Sequence, residues 1–146
     1  MTLPVERTRS LRWMWEFLIE LKTANNLPAQ AIAQVESILE HYPTPAQLQE
    51  WARHDCANPE PLFGPYLEPE NMKPETAQAL PQDYDVKPTS AEQREGALSD
   101  AYKLVRFTLP DLGCLTDAQK HTKLYVLRHY PDAADIGIMA RRANPK

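Results

Sequence analysis

His54, Asp55 and Cys56 are consecutive and supply the residue types of a cysteine-nucleophile site: a thiol to attack, an imidazole to take its proton, a carboxylate to orient the imidazole. That chemistry needs three converging side chains, and neighbours at i, i+1 and i+2 of a helix point apart. Neither a glycine elbow nor a strand-turn-helix pattern surrounds the string, so it reads as a helix end running into a loop. A second constellation pairs His41 with His129, which recur in the same local sequence, and adds His121 and Cys114 as metal-ligand types. The chain lacks Cys-x-x-Cys, His-x-x-x-His and His-Glu-x-x-His spacings. Each histidine more simply closes a helix, where the dipole favours a cation by about 0.3–1 kcal/mol. The glycines at 64, 96, 113 and 137 are isolated, which excludes a phosphate-cradling loop, and no two carboxylates have a spacing that defines an acid and a base. Arg53, Arg141 and Arg142 have the chemistry to grip a phosphate or carboxylate, or else satisfy the last carbonyls of their helices. No catalytic residue, metal or cofactor is expected, and the chain reads as a non-enzyme.

The elements that hold these residues are helical. Pro4 suits a first helical turn, and residues 5–23 then read as a helix that Asn25-Asn26 ends. Pro28 opens a second helix with Ile32, Val35, Ile38 and Leu39 on one stripe, stopping near Tyr42 because Pro43 follows. Thr44, Pro45 and Gln47 spell a cap for a third helix, whose apolar side carries Leu48, Trp51 and Ala52. Further on, Thr89 with Glu92, or Ser90 with Gln93, caps a helix expected to run to about Thr108, where Pro110 and Gly113 break it. Thr116 with Gln119 caps the next, which ends at His129-Tyr130-Pro131. Asp132 then stands as the N-cap of a last one.

This order of signals repeats. Ile38-Leu39-Glu40-His41-Tyr42-Pro43 returns 88 residues later as Val126-Leu127-Arg128-His129-Tyr130-Pro131, and seven of the 17 positions 38–54 match their counterparts in 126–142. Thr44 becomes Asp132, a different residue with the same capping ability. The expected fold is therefore all-α: two three-helix units related by internal duplication, residues 1–54 and 89–146, in one compact domain. Between them, residues 55–88 hold seven prolines and are expected to form an extended, acidic connector rather than a helix or central strand. Its apolar residues Leu62, Phe63, Tyr66, Leu67, Met72, Leu80 and Tyr84 are expected to anchor it on the helices. A short helix near 73–79 fits Pro74 in a first turn.

Charge is unevenly spread. Residues 1–50 carry four basic and six acidic side chains, residues 51–100 four and ten, and residues 101–146 eight and four. The acidic middle and basic end either attract each other within the fold or mark a nucleic-acid contact through Lys120, Lys123, Arg128, Arg141, Arg142 and Lys146. Helices ending on His-Tyr-Pro before a short helix loosely fit a helix-turn-helix, which keeps that alternative open. No run of 18 apolar residues occurs, so no membrane span is expected. Residues 1–7 lack the basic-then-apolar pattern of a signal peptide, and two cysteines are too few for a disulfide framework, so a cytoplasmic location is expected.

The first helix is the least ordinary element. Leu11, Trp13, Met14, Trp15, Phe17, Leu18, Ile19 and Leu21 are too many for one stripe, and Trp13 and Trp15 lie about 200° apart around a helix of 3.6 residues per turn. A helix apolar on two sides is central to a bundle or half covered by a partner. Trp13, Trp15, Phe17 and Trp51 are the candidate partner-binding residues, for another protein or a second copy of the chain.

The opening Met1-Thr2-Leu3-Pro4-Val5-Glu6-Arg7-Thr8-Arg9, then Trp15-Glu16-Phe17-Leu18 and a helix ending His41-Tyr42-Pro43, resembles a group of short uncharacterised bacterial proteins with a similar Glu-Arg-Thr-Arg opening. The resemblance covers about residues 1–54 and implies a bacterial or phage source and a small helical fold. It carries no activity. Taken together, the sequence points to a protein-binding module of inhibitor, antitoxin or adaptor type, with nucleic-acid binding as the alternative.

Overall fold

Capping residues set where the helices begin. In the computed structural model, which describes residues 2–59, 61–62, 64–73, 75, 79–81, 84 and 86–142, six helices and no strand occur among the described residues. Helix α1 spans Pro4–Lys22, α2 Ala29–Leu39 and α3 Pro45–Ala57. Helix α4 starts as Ala91–Lys103, widens into a π turn over Leu104–Thr108 and finishes as Leu109–Leu112. Helices α5, Asp117–Arg128, and α6, Ala133–Arg142, complete the chain. Thr44 Oγ1 accepts the Gln47 N–H at 3.3 Å while the Thr44 N–H donates to Gln47 Oε1 at 2.9 Å. The same reciprocal box closes Ser90 on Gln93 and Thr116 on Gln119, so Ser90 rather than Thr89 caps α4. Asp132 Oδ1 accepts the Asp135 N–H at 2.8 Å at the head of α6.

Pro110 does not break α4, contrary to the expectation from sequence. The Leu109 N–H reaches back five residues to the Leu104 carbonyl, and this wider turn passes a proline that brings no N–H of its own. The helix stops instead at Gly113, whose φ of 64° is a left-handed conformation that glycine adopts without cost.

Helix α1 is covered over most of its apolar surface, with Trp13 and Ile19 left half-buried. It packs on α2, α3 and α5, while α4 packs on α6 and α2. Leu11, Met14, Leu18 and Leu21 are fully buried, and Trp15 and Phe17 nearly so. Each such side chain withdrawn from water stabilises the fold by about 1.5–3 kcal/mol. The central-helix reading of this segment is the one the packing displays. Two buried tyrosines tie later turns to the long helices: Tyr42 Oη donates to the Leu11 carbonyl and Tyr130 Oη to the Leu98 carbonyl, each at 2.6 Å. Asn26, just beyond α1, exchanges amide hydrogen bonds with buried Gln119 at the head of α5.

The proline-rich stretch after α3 carries no helix over residues 64–73, and its polar groups are met by the helices beneath. Gln49 and Glu70 exchange two hydrogen bonds at 2.8 and 2.9 Å, and Glu70 takes a fork from Arg12 at 2.8 and 3.0 Å. Leu67 is fully buried, and Tyr84 Oη accepts the Trp15 indole N–H at 3.1 Å. Leu62 and Leu80, expected as anchors, are exposed. Phe63 and most of the expected helix at 73–79 lie outside the described residues. No helix among the described residues is long and apolar enough to cross a membrane.

Candidate functional site

The seam between α1 and α5 opens into a groove of about 380 Å³. Trp13 and Phe17 form the α1 wall, four residues apart, and Thr122 with Tyr125 and Val126, three and four residues on, forms the α5 wall with His121, four before Tyr125. Ser10 Oγ donates to the Val126 carbonyl at 2.5 Å and fixes the two helices at one end. The Trp13 and Tyr125 rings meet edge to face with centroids 6.4 Å apart, and the His121 ring stands perpendicular to Tyr125 at 4.9 Å. Tyr125 is 51% exposed and its neighbour Leu124 65% exposed, an uncovered apolar area on an otherwise well-packed pair of helices. Glu16 and Glu20 also line the groove, and no Lys or Arg does so among the described residues. Glu16 pairs with Arg12 at 2.7 Å, and the Arg9 guanidinium sits 6.0 Å from the Trp13 ring.

Of the four aromatic residues expected at a partner surface, only Trp13 opens onto this groove at partial exposure. Trp15 and Trp51 are 5% exposed and Phe17 1%, so all three serve the core. Tyr125 and Leu124 were missed. The signal was present: Leu124-Tyr125-Val126-Leu127 is a run of four apolar residues, and a helix cannot turn all four inward.

Among the other candidates, Asp55, Cys56, His129 and Arg142 make contacts within the fold. Asp55 is 1% exposed, and its Oδ2 accepts the N–H groups of Tyr66 and Leu67 at 2.6 and 2.9 Å. Its Oδ1 accepts the Arg142 Nε–H at 2.7 Å, and Arg142 also donates to the Asn58 carbonyl. Asp55 therefore orients backbone, not His54, whose ring lies beside Asn58. The Cys56 thiol donates to the Leu67 carbonyl, and burial, with the charges of Glu68 and Asp55, raises its pKa and so disfavours the thiolate. His129 lies between Thr2 and Glu6 at the head of α1, with 3.2 Å to each. His41, His121 and Cys114 do not join it, and no cluster of three metal-ligating side chains occurs among the described residues. Arg53 is exposed beside Glu50 at 3.8 Å, and Lys120, Arg128 and Arg141 are exposed with Lys123 half-buried. Lys146 lies outside the described residues.

Neither a protein-family model, nor a curated protein, nor a solved structure matches the chain.

Proposed function

We propose that the chain is a non-enzymatic helical protein-binding module, of inhibitor, antitoxin or adaptor type, whose docking surface is the α1–α5 groove. The occupant is a segment of another protein that presents an apolar side chain flanked by Lys or Arg. The observation that carries this reading is the uncovered aromatic groove itself, whose described walls hold Glu20, without an ion pair among the described residues, and Glu16, paired with Arg12. Aromatic walls bury a large area at small entropic cost, and the carboxylates select positive flanks. The nucleic-acid alternative draws less support, because Arg142 is already committed to Asp55 and Asn58.

The reading extends to the origin of the fold, two three-helix units from one duplicated sequence joined by the proline-rich connector. Beyond Tyr42 and Tyr130, a second cleft supports it. That cleft lies between α2 and α4 and is lined by Gln34, Ser37 and Ile38 facing Asp100, Lys103 and Leu104. The first three stand 88 residues before Thr122, Tyr125 and Val126, and the last three 87 residues after Trp13, Glu16 and Phe17. Under the duplication the two clefts are equivalent, each formed between a helix of one unit and a helix of the other, and only the α1–α5 cleft has aromatic walls.

The test uses two helical peptides with the same Leu and Phe anchors, one flanked by lysines and one by glutamates. Trp13 fluorescence follows binding in a variant whose other two tryptophans are phenylalanine. The lysine-flanked peptide is expected to bind saturably and the other not, and Tyr125→Ser to abolish the response while the far-ultraviolet dichroism is unchanged. Equal response to both peptides, or undiminished binding by Tyr125→Ser, refutes the groove. A dimer in sedimentation that Tyr125→Ser dissolves makes a second copy the occupant and refutes the foreign partner.

A further inference from the structure

Arg94 is a buried cation with no anion beside it among the described residues. It is 9% exposed, the fourth residue of α4. Its Nη1 donates to the Thr89 carbonyl at 3.2 Å and its Nη2 to the Ala140 carbonyl at 3.4 Å, both long contacts to neutral acceptors. Its Nε is buried and has no hydrogen-bond partner among the described residues. Among the described residues no carboxylate stands within ion-pair distance of it, and burial lowers its pKa. A guanidinium does not escape this by losing its proton, so the uncompensated charge persists.

Arg7, the fourth residue of α1, makes the contrast. It is half-buried, donates to the Tyr66 carbonyl at 3.0 Å and lies 5.9 Å from the Tyr66 ring. There the chain supplies its own cover. At Arg94 it supplies an open cleft of about 330 Å³ instead, between α3 and the head of α4. Pro43 and Trp51 give that cleft its apolar wall, and Gln47, His54 and Thr89 its polar groups.

We propose that this cleft is a binding site for a small organic monocarboxylate, whose carboxylate meets Arg94 and whose apolar body lies against Trp51 and Pro43. The guanidinium has five N–H groups and spends two on carbonyls; a carboxylate matches the planar fork that remains. Among the described residues Arg94 is the only Lys or Arg in the walls, and the one carboxylate there, Glu50, is 80% exposed at its side chain and pairs with Arg53 at 3.8 Å. A phosphate dianion would leave excess negative charge beside Glu50. The volume is at the small end for organic ligands, which fits a single ring or short chain. This site is separate from the α1–α5 groove and stands or falls independently of it.

The probes are benzoate, uncharged benzamide and phenyl phosphate, each added to the full chain. Benzoate is expected to raise the Tm in a saturable way and to shift the Arg94 Nε–H cross-peak in heteronuclear NMR. Benzamide should do neither, and phenyl phosphate should bind at least tenfold more weakly. Arg94→Met is expected to melt higher than the parent without ligand, because it removes an unpaired buried charge, and to lose the benzoate response. Arg94→Lys keeps charge but loses the fork, and should weaken benzoate about tenfold. Benzamide acting like benzoate, phenyl phosphate binding as well or better, or an unmoved Arg94 resonance at saturating benzoate overturns the proposal. The resonance test stands on the parent chain and holds even where a variant fails to fold.

Discussion

Replacing Asp55 with alanine removes one side chain that serves three donors. Two are backbone N–H groups in buried residues, Tyr66 and Leu67, and the third is the Arg142 guanidinium. A buried donor left without an acceptor costs about 1–3 kcal/mol; taken at about 1–2 kcal/mol each, because Tyr66 keeps 9% exposure, the two N–H groups contribute about 2–4 kcal/mol. The ion pair adds less. The Arg142 side chain is 25% exposed and returns to water when freed, which adds about 1 kcal/mol. The sum is a loss of about 3–5 kcal/mol, a large share of the 5–15 kcal/mol typical of a domain. Urea unfolding followed by dichroism at 222 nm measures it. With a slope of about 2 kcal/mol/M, the midpoint falls by about 1.5–2.5 M. Arg142→Met is the control, because it leaves both N–H groups satisfied; it strands the buried Asp55 carboxylate without its cation and should cost about 2 kcal/mol, less than Asp55→Ala. A loss under about 1 kcal/mol for Asp55→Ala, or equal losses for the two variants, refutes the reasoning that Asp55 acts mainly on backbone.

Tyr42→Phe and Tyr130→Phe each remove a 2.6 Å hydrogen bond to a helix carbonyl and should each cost about 1–2 kcal/mol in the same urea assay. A cost near zero for either would mean the hydroxyl is not holding its helix. Burial raises the pKa of both phenols above the ordinary 10.0, so the stability they lend is complete below pH 10 and falls as the pH climbs beyond it. Tyrosinate absorbance at 295 nm should show these two ionising only together with unfolding, and their early titration in a folded chain would contradict their burial.

Local chemistry made most of the fold legible in the sequence. Thr44, Ser90 and Thr116 each carry a glutamine three residues on, and such a box closes within four residues whatever the rest of the chain does. The two-sided apolar face of α1 likewise required cover on both sides. What covers it was not legible. Trp15 meets Tyr84 and Tyr42 reaches Leu11, contacts across 69 and 31 residues that depend on how the helices cross. Pro110 misled for a related reason, since a π turn five residues wide absorbs a proline that propensity alone reads as a stop. Asp55 looked like part of a catalytic string because its type was visible and its partners, Tyr66, Leu67 and Arg142, were not. Arg94 drew no notice at all. An arginine in a first helical turn is unremarkable until packing removes its water and brings no carboxylate in exchange. Helix limits follow from hydrogen bonds between near neighbours, whereas burial, pairing and the open grooves follow from distant segments meeting, which only the folded chain decides.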